Sequence, residues 1–263
     1  MMLKNLKIMK KRKIKIGIDI DEVLRAKWLQ FDKYYVEEFG EEGTPTENPY
    51  TQDFFEKYKW KDRIEKEKFL KDPEKTPDKI NPLDYVADES GESPVDAILF
   101  KPEETIKLTP REVYNRFMYE DYLLEIHGSA PLMYRRMELD VDKFIKKYEN
   151  YCDFIVLGKE NWFSIPPTLF FLSKTMLKFK EYKFHDDYDE YWLNDLDIII
   201  TCNPKVIECK PDNKKHIKLN RPYNMENDSG LIHDLLHIKD LIDSTEFQKI
   251  IGYIKEKENG KND

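Results

Sequence analysis

Two carboxylates close a short β-branched run near the start of the chain, and they are the residues best placed to do chemistry. Isoleucines alternate with small or polar residues from Lys13 to Ile20, in the segment KIKIGIDI, and Asp19 and Asp21 stand where the alternation ends. Such alternation predicts a β-strand. In an open parallel sheet, ligands bind outside the carboxyl ends of the strands, so both acids would face that crevice. Carboxylates there can attack an electrophile, exchange a proton or hold a metal ion.

The elements that would position these acids alternate between strands and helices. Thr109, Pro110 and Glu112 form a helix-start signature with a capping box. The predicted strands cover residues 13–20, 152–157, 182–184, 196–200 and 216–219. The predicted helices cover residues 23–39, 110–128, 141–151, 169–179 and 244–257. In the first of these, apolar residues recur at three- and four-residue steps, and the fourth is expected to direct its apolar positions inward: Leu169, Leu172, Met176 and Phe179. This order predicts an α/β fold with a three-layer, parallel-sheet, Rossmann-like core.

Composition divides the chain into four parts. Residues 1–12 form a basic N-terminal arm, 13–39 and 141–255 form the α/β core, and 256–263 form a charged tail. Residues 40–140 are expected to be an inserted cap, because proline or glycine recurs every few residues over most of this stretch and apolar periodicity is weak. A segment of this length inside a compact protein is usually a functional insertion or a lid.

The segment Asp19-Ile20-Asp21-Glu22-Val23 resembles the first motif of the haloacid dehalogenase superfamily of phosphatases, Asp-x-Asp-x-Thr/Val. The turn RPYN at 221–224 is similar to a turn of the 5′-nucleotidase and deoxyribonucleotidase members. The resemblance implies a haloacid dehalogenase-type core with a cap inserted after the first motif. It also implies that Asp19 is the nucleophile, that Asp21 is the general acid/base, and that Mg²⁺ binds between Asp19 and a later acidic loop.

The later motifs of that family match only in part. Where the second motif has Ser or Thr, this chain has Leu157 or Gly158, and where the fourth has paired acids it has Thr201 and Cys202. The third motif is a lysine that neutralises phosphate, and three lysines lie in the right interval, at positions 178, 180 and 183. Of these, Lys180 is the predicted catalytic lysine.

Two acidic or histidine-containing segments are further metal-site candidates. His185-Asp186-Asp187 could replace the missing acids if its loop folds back to the crevice, which makes Asp19, Asp21 and Asp187 the predicted metal ligands. The competing interpretation of this segment is a solvated acidic loop. His233 and His237 are four residues apart and could pair on a helix, but interleaved leucines favour a packed or surface helix.

The composition limits the classes of partner. The net charge of −8 gives no reason to expect nucleic-acid binding. Three cysteines without a close pair favour buried thiols in a reducing compartment, and no run of about 20 apolar residues predicts a membrane span. The expected location is therefore a cytoplasm. Sixteen tyrosines and fifteen phenylalanines suit a filled core or contacts with protein partners.

Two functions are compatible with this pattern. The first is a degenerate, non-catalytic member of the family that acts as a structural or assembly subunit, is homo-oligomeric or bound to other proteins, and occurs in a tailed-phage virion or the host cytoplasm. Fold and function are separable, so a retained scaffold can serve this role. The alternative is a Mg²⁺-dependent nucleotidase that acts on a nucleotide monophosphate through an aspartyl-phosphate intermediate.

Overall fold

The structure, a computed structural model, describes residues 12–39 and 109–259. The predicted basic arm up to residue 11, the cap from 40 to 108 and the last four residues of the tail lie outside the described residues. The ranges that follow are those of the structure.

A five-stranded parallel sheet forms the centre of the described chain. Its strand order is β3-β2-β1-β4-β5. The strands are β1 (Ile14–Asp19), β2 (Cys152–Lys159), β3 (Glu181–His185), β4 (Ile198–Thr201) and β5 (Lys215–Lys218). All five predicted strands are confirmed, and so is the parallel α/β class.

The sheet has its topological switch point at β1. The chain runs outward from β1 to β2 and β3, then crosses to β4 and β5 on the other side. Ile18 pairs with Ile200, so Asp19 at the end of β1 lies beside Thr201 at the end of β4. A crevice outside the carboxyl ends at such a point is the usual ligand site of open α/β sheets.

Seven α-helices accompany the strands in the described chain. They are α1 (Lys27–Phe39), α2 (Pro110–Arg116), α3 (Met137–Tyr148), α4 (Ile165–Thr175), α5 (Pro204–Glu208), α6 (Lys239–Ile242) and α7 (Thr245–Asn259). The predicted capping box at α2 is confirmed, since Glu112 N–H donates to Thr109 Oγ1 and Thr109 N–H donates to the Glu112 carboxylate. Beyond α2 the predicted helix to residue 128 instead continues as two π-helical turns, Phe117–Asp121 and Leu124–Gly128.

Side chains cover both faces of the sheet. One face packs against α3, α4, α6 and α7, with Phe144 and Phe247 among the largest buried groups. The other face packs against Tyr191 and Trp192 of a 3₁₀ turn and Val206 of α5. Apolar side chains on both faces explain why β2 and β4 are near-continuous hydrophobic runs.

Helix α1 packs mainly against the segment that begins with α2. Trp28, Phe31 and Tyr35 bury their rings against Val113 and Phe117 in a cluster separate from the two sheet faces. The apolar periodicity of residues 23–39 predicted a helix but could not show which neighbour its apolar side would meet. Within the described residues, the packing therefore groups the apolar side of α1 with residues 109–128.

Two helix predictions need correction in detail. The helix expected over 23–39 begins only at Lys27, because residues 20–26 form a compact turn. The helix expected over 169–179 is α4, and its predicted inward residues Leu169 and Met176 are 43% and 83% exposed.

No helix in the described part of the chain is long and apolar enough to cross a membrane.

Candidate functional site

Asp19 lies at the switch point but is closed off from solvent. Its side chain is 2% exposed. The Thr201 hydroxyl donates to Asp19 Oδ2 at 2.7 Å, and the Tyr191 hydroxyl donates to Asp19 Oδ1 at 3.3 Å. Burial raises the pKa of Asp19 to about 7, although the hydrogen bond from Thr201 opposes the rise. The carboxyl group is therefore partly protonated at neutral pH.

The turn that follows β1 is held in an unusual backbone conformation. Glu22 has φ of 59°, in the left-handed region that non-glycine residues rarely adopt. Its carboxylate accepts a hydrogen bond from Trp28 N–H, and Arg221 donates to its carbonyl oxygen at 2.6 Å. These contacts fix the turn against the first turn of α1. Burial raises the pKa of Glu22 to about 7.

Asp21 is directed away from Asp19, into a buried set of cations. Arg25 Nε donates to Asp21 Oδ1 at 2.8 Å, and Lys27 Nζ donates to Asp21 Oδ2. Arg25 is fully buried and Lys27 is nearly so. Burial favours the neutral acid, but Arg25 and Lys27 outweigh it and hold the pKa of Asp21 below its usual value.

Arg25 connects this turn to three other elements. It donates to Glu160 Oε1 at 2.6 Å, just beyond β2, and to Thr168 Oγ1 at 2.7 Å on α4. It also donates to the His127 carbonyl oxygen at 2.7 Å, in the second π-helical turn. Thr168 in turn donates to Glu160 Oε1 at 2.7 Å. One guanidinium thus ties the β1 turn to both the sheet core and the helical cluster of α1.

The charges of this buried cluster balance. Asp21 and Glu160 are anionic, because Arg25 holds the pKa of Glu160 well below its usual value against the effect of burial. Arg25 and Lys27 are cationic. Burial lowers the pKa of His127, whose Nδ1 lies 3.2 Å from Glu160 Oε2, so the imidazole is neutral at pH 7. Two anions and two cations offset one another in charge, as buried charges require, and Glu160 Oε2 and both ring nitrogens of His127 are left buried without a hydrogen bond to the described residues.

The residues around Asp19 are a poor fit to Mg²⁺. Mg²⁺ requires near-octahedral oxygen ligands. Here the groups beside Asp19 are the Thr201 and Tyr191 hydroxyls, which donate to it, and the Cys202 thiol, which is directed to the Asp21 carbonyl oxygen at 3.5 Å. Over residues 12–39 and 109–259, no group of three or more His, Cys, Asp or Glu residues is arranged to hold a metal ion.

The structure does not bring Asp187 or Lys180 to Asp19. Asp187 follows β3, two strands from β1, and its Oδ1 lies 3.1 Å from Lys159 Nζ. Lys180 precedes β3, and its backbone N–H donates to Phe154 O, three residues before the level of Asp19 in the neighbouring strand. The exposed Lys180 thus begins its strand at the end opposite to the crevice. The lysine that contacts an acid of the motif is Lys27.

The histidine pair does not lie on a helix. Residues 231–237 form irregular turns, and Asp234 between the histidines has φ of 57°. His237 instead stacks near Tyr134, with ring centroids 4.5 Å apart. The alternative helix prediction for this segment is therefore wrong, and the four-residue spacing does not place both imidazoles on one side.

The two segments that carry the family resemblance, the turn after β1 and the RPYN turn, meet in space. Asn224 of the RPYN turn donates to the carbonyl oxygens of Cys202 and Leu219, at 2.7 and 2.9 Å. Arg221 of the same turn reaches Glu22 in the β1 turn. The RPYN turn therefore fixes the end of β4 beside Asp19 and Asp21.

Gly158, at the expected second-motif position, is fixed by packing. A Cβ added there would lie 2.9 Å from Ile20 Cδ1 and 3.2 Å from Phe184 Cδ1. A Ser or Thr at this position would therefore collide with its neighbours unless they moved. The local packing thus has no room for the hydroxyl-bearing side chain of the second motif unless Ile20 and Phe184 move.

Sequence reasoning missed the buried cluster around Arg25. A signal was present, because Asp21 and Arg25 are four residues apart and Lys27 follows, which puts three charges in a short segment after a buried strand. The partners Glu160 and Thr168 lie more than 130 positions away, and local spacing does not connect them to Arg25.

In comparisons with known proteins, no family model matches the sequence and no curated protein matches it.

Proposed function

We propose that this chain is a degenerate haloacid dehalogenase-like protein that keeps the scaffold of a phosphatase without efficient phosphatase chemistry. The observation that carries the proposal is the environment of Asp19. Both oxygens of its carboxyl group accept hydrogen bonds from neutral hydroxyl groups, and the side chain is 2% exposed. A carboxyl group that has both oxygens engaged and no access to solvent cannot reach an incoming phosphorus atom unless its surroundings open.

The surroundings of Asp21 support the same proposal. A general acid/base must give and accept a proton during each turnover. Arg25 and Lys27 hold Asp21 ionised and engage both of its oxygens. Protonating Asp21 would remove the negative charge that compensates the buried Arg25 and Lys27. Asp21 is therefore suited to stabilising the fold and not to transferring protons.

The role we propose for the scaffold is that of a structural or assembly subunit, in a tailed-phage virion or in the host cytoplasm. The supporting features are the high aromatic content and the replacement of acids by Thr201 and Cys202. Proteins that bind other proteins present aromatic side chains at the centre of their interfaces. The partners would be other copies of the chain or other proteins.

The test is a phosphatase assay with Mg²⁺ on the full chain. Para-nitrophenyl phosphate and the deoxynucleoside monophosphates serve as substrates for the wild type and Asp19→Asn. Asp195→Asn is the matched control, because this exposed carboxylate lies before β4, at the amino end of the sheet. We expect the three proteins to show the same background rate. Mg²⁺-dependent turnover that is lost in Asp19→Asn and kept in Asp195→Asn would overturn the proposal.

The second candidate function is a Mg²⁺-dependent 5′-nucleotidase that uses an aspartyl-phosphate intermediate. The observation that favours it is the position of Asp19 at the end of β1, where the strand order switches. It requires a ligand such as Asp187 to leave Lys159 and approach Asp19. The same assay decides between the candidates, and melting curves with and without Mg²⁺ add a readout that is independent of turnover.

A further inference from the structure

Helix α4 carries an apolar face that points away from the sheet. Its inner side chains Phe171 and Leu172 are buried in the core. On the outer side, Trp162 is 72% exposed, Phe163 49%, Leu169 43% and Phe170 48%. Trp162 and Leu169 are seven positions apart, as are Phe163 and Phe170, which is two helical turns. The Ile165 N–H donates to the Asn161 carbonyl oxygen at 3.2 Å, so the turn before the helix continues its hydrogen bonding and the four side chains share one face. We call this surface the α4 face.

The α4 face has no charged residue from 161 to 173, in a highly charged protein. Residues 161–173, NWFSIPPTLFFLS, contain no Asp, Glu, Lys or Arg, although 37% of the chain is charged. A helix that is apolar on all sides is usually buried on all sides. The composition of α4 therefore indicates that its outer side is covered in the working form of the protein.

Neighbouring residues extend the face to the size of an interface. Leu124, 52% exposed, flanks Gly128 together with Phe170: a Cβ on Gly128 would lie 2.8 Å from Leu124 Cδ1 and 3.3 Å from Phe170 Cδ1. With Trp162 and Phe163, the exposed apolar side chains cover on the order of 500 Å². A standard interface buries about 800 Å² on each partner, including its polar rim, so the patch fits as the apolar centre of one.

We propose that the α4 face binds the α4 face of a second copy of this chain, with the two helices antiparallel about a two-fold axis. A two-fold interface uses one patch twice, and this patch carries no charge at its centre that would repel itself. Over the rest of the surface, charge repulsion opposes close approach of two copies, because the chain has a net charge of −8.

The antiparallel arrangement follows from the ends of the helix. Lys174, whose Nζ lies 4.9 Å from the centroid of the Phe170 ring, is the charged residue at the carboxyl end of the face. Parallel pairing would put the two lysines together. Antiparallel pairing puts the lysine end against the aromatic end that holds Trp162 and Phe163, which suits cation–π contacts.

The inference deepens the proposed assembly role and rests on it, but its test is separate. Sedimentation equilibrium of the full chain at tens of micromolar measures the mass of the wild type, Leu169→Asp, Phe170→Asp and Leu193→Asp. Leu193 is the matched control, because it is 83% exposed and lies on a different turn. We expect a dimer for the wild type and Leu193→Asp. We expect each α4 substitution to weaken the dimer by roughly 30-fold or more.

A measurement without a disruptive substitution keeps the inference testable if an aspartate variant fails to fold. Of the four tryptophans, Trp28 and Trp192 are buried, Trp162 is 72% exposed in the single chain, and Trp60 lies outside the described residues. Dimerisation should bury Trp162, so the tryptophan emission of the wild type should shift to longer wavelength on dilution. Trp162→Phe should lose most of that shift.

Three results would overturn the inference. The first is a wild type that stays monomeric at tens of micromolar. This result overturns the inference both if residues 40–108 are found to cover the α4 face and if the face is found to bind phosphatidylcholine vesicles. The second is a dimer that both α4 substitutions leave intact. The third is a dimer that Leu193→Asp breaks as readily as Phe170→Asp. A monomer without phosphatase activity would contradict the proposed α4 interface but not the proposal that the chain lacks efficient phosphatase chemistry.

Discussion

Asp19 and Asp21 are two residues apart and both buried, yet their charge states differ. Asp19 is surrounded by hydroxyl groups, and burial raises its pKa to about 7. Asp21 is in contact with Arg25 and Lys27, which hold its pKa below the usual value despite burial. Burial alone favours the neutral acid, and a contacting cation reverses the effect. The comparison shows that a paired-carboxylate motif does not define the chemistry of either acid.

The two sites also differ in what they connect. Asp19 joins β1 to β4 through Thr201, which is its neighbour across the switch point. Asp21 reaches, through Arg25, residues near positions 127, 160 and 168. We therefore expect the cluster around Asp21 to contribute more to stability than the contacts of Asp19.

The largest effect should come from Arg25→Met. This change leaves Asp21 and Glu160 buried without their shared cation, and breaking a buried ion pair on one side costs about 4 kcal/mol. Urea denaturation at pH 7 measures the loss in free energy of unfolding. Lys33→Met is the control, because the Lys33–Glu37 pair is at 3.8 Å with both side chains more than half exposed. It should leave the midpoint nearly unchanged, and equal losses in both variants would contradict a special role for the cluster.

A somewhat smaller loss is expected for Asp21→Asn, at about 3 kcal/mol near neutral pH. The amide keeps the shape of the carboxylate but not its charge, so Arg25 and Lys27 lose part of their compensation. Because the folded pKa of Asp21 is lowered, its charge adds stability above the pKa of the unfolded chain, and that stability is lost on acidification. The variant and the wild type should thus converge as the pH falls below about 4. A constant difference at all pH values would point to lost packing instead.

Asp19→Asn should act in the opposite direction. Because the pKa of Asp19 rises from 3.8 to about 7 on folding, its contribution is most favourable below pH 4 and declines as the pH rises to 7. Asn cannot ionise and can still accept from Thr201. We expect the variant to be about 2 kcal/mol more stable than the wild type at pH 8 and similar to it near pH 4.

Thermal or urea unfolding of Asp19→Asn over this pH range is the measurement. A lower stability than the wild type at pH 8 would mean that the ionised carboxylate is stabilised in the folded protein. That result would break the contrast between the two acids. It would also favour the nucleotidase alternative, in which Asp19 must be ionised to act as the nucleophile.

Local sequence signals predicted the strands because their causes are local. The alternation of Ile14, Ile16 and Ile18 reflects one buried face, and Thr109 and Glu112 form a capping box within four residues. The same signals predicted the start of α1 wrongly. The turn over residues 20–26 depends on Arg221, which contacts Glu22 from a distant part of the chain.

Helix faces show a second limit of the sequence. The apolar positions of α4 predicted a helix, but an apolar residue can face a core or an interface. Leu169 was expected inside and is 43% exposed, whereas Phe171 is 2% exposed. Only the position of the sheet decides which side of α4 is the inner one.

What the sequence determined by itself is the position of the two carboxylates at the end of β1 and the α/β class, since both follow from short-range periodicity. The tertiary structure decided that Thr201 contacts Asp19 and that Arg25, Lys27 and Glu160 surround Asp21. The physical reason is that a carboxyl group buried in a protein takes its charge state from whichever groups the fold places within hydrogen-bond distance. Those groups come from strands and helices far apart in the chain, which spacing along the sequence does not reveal.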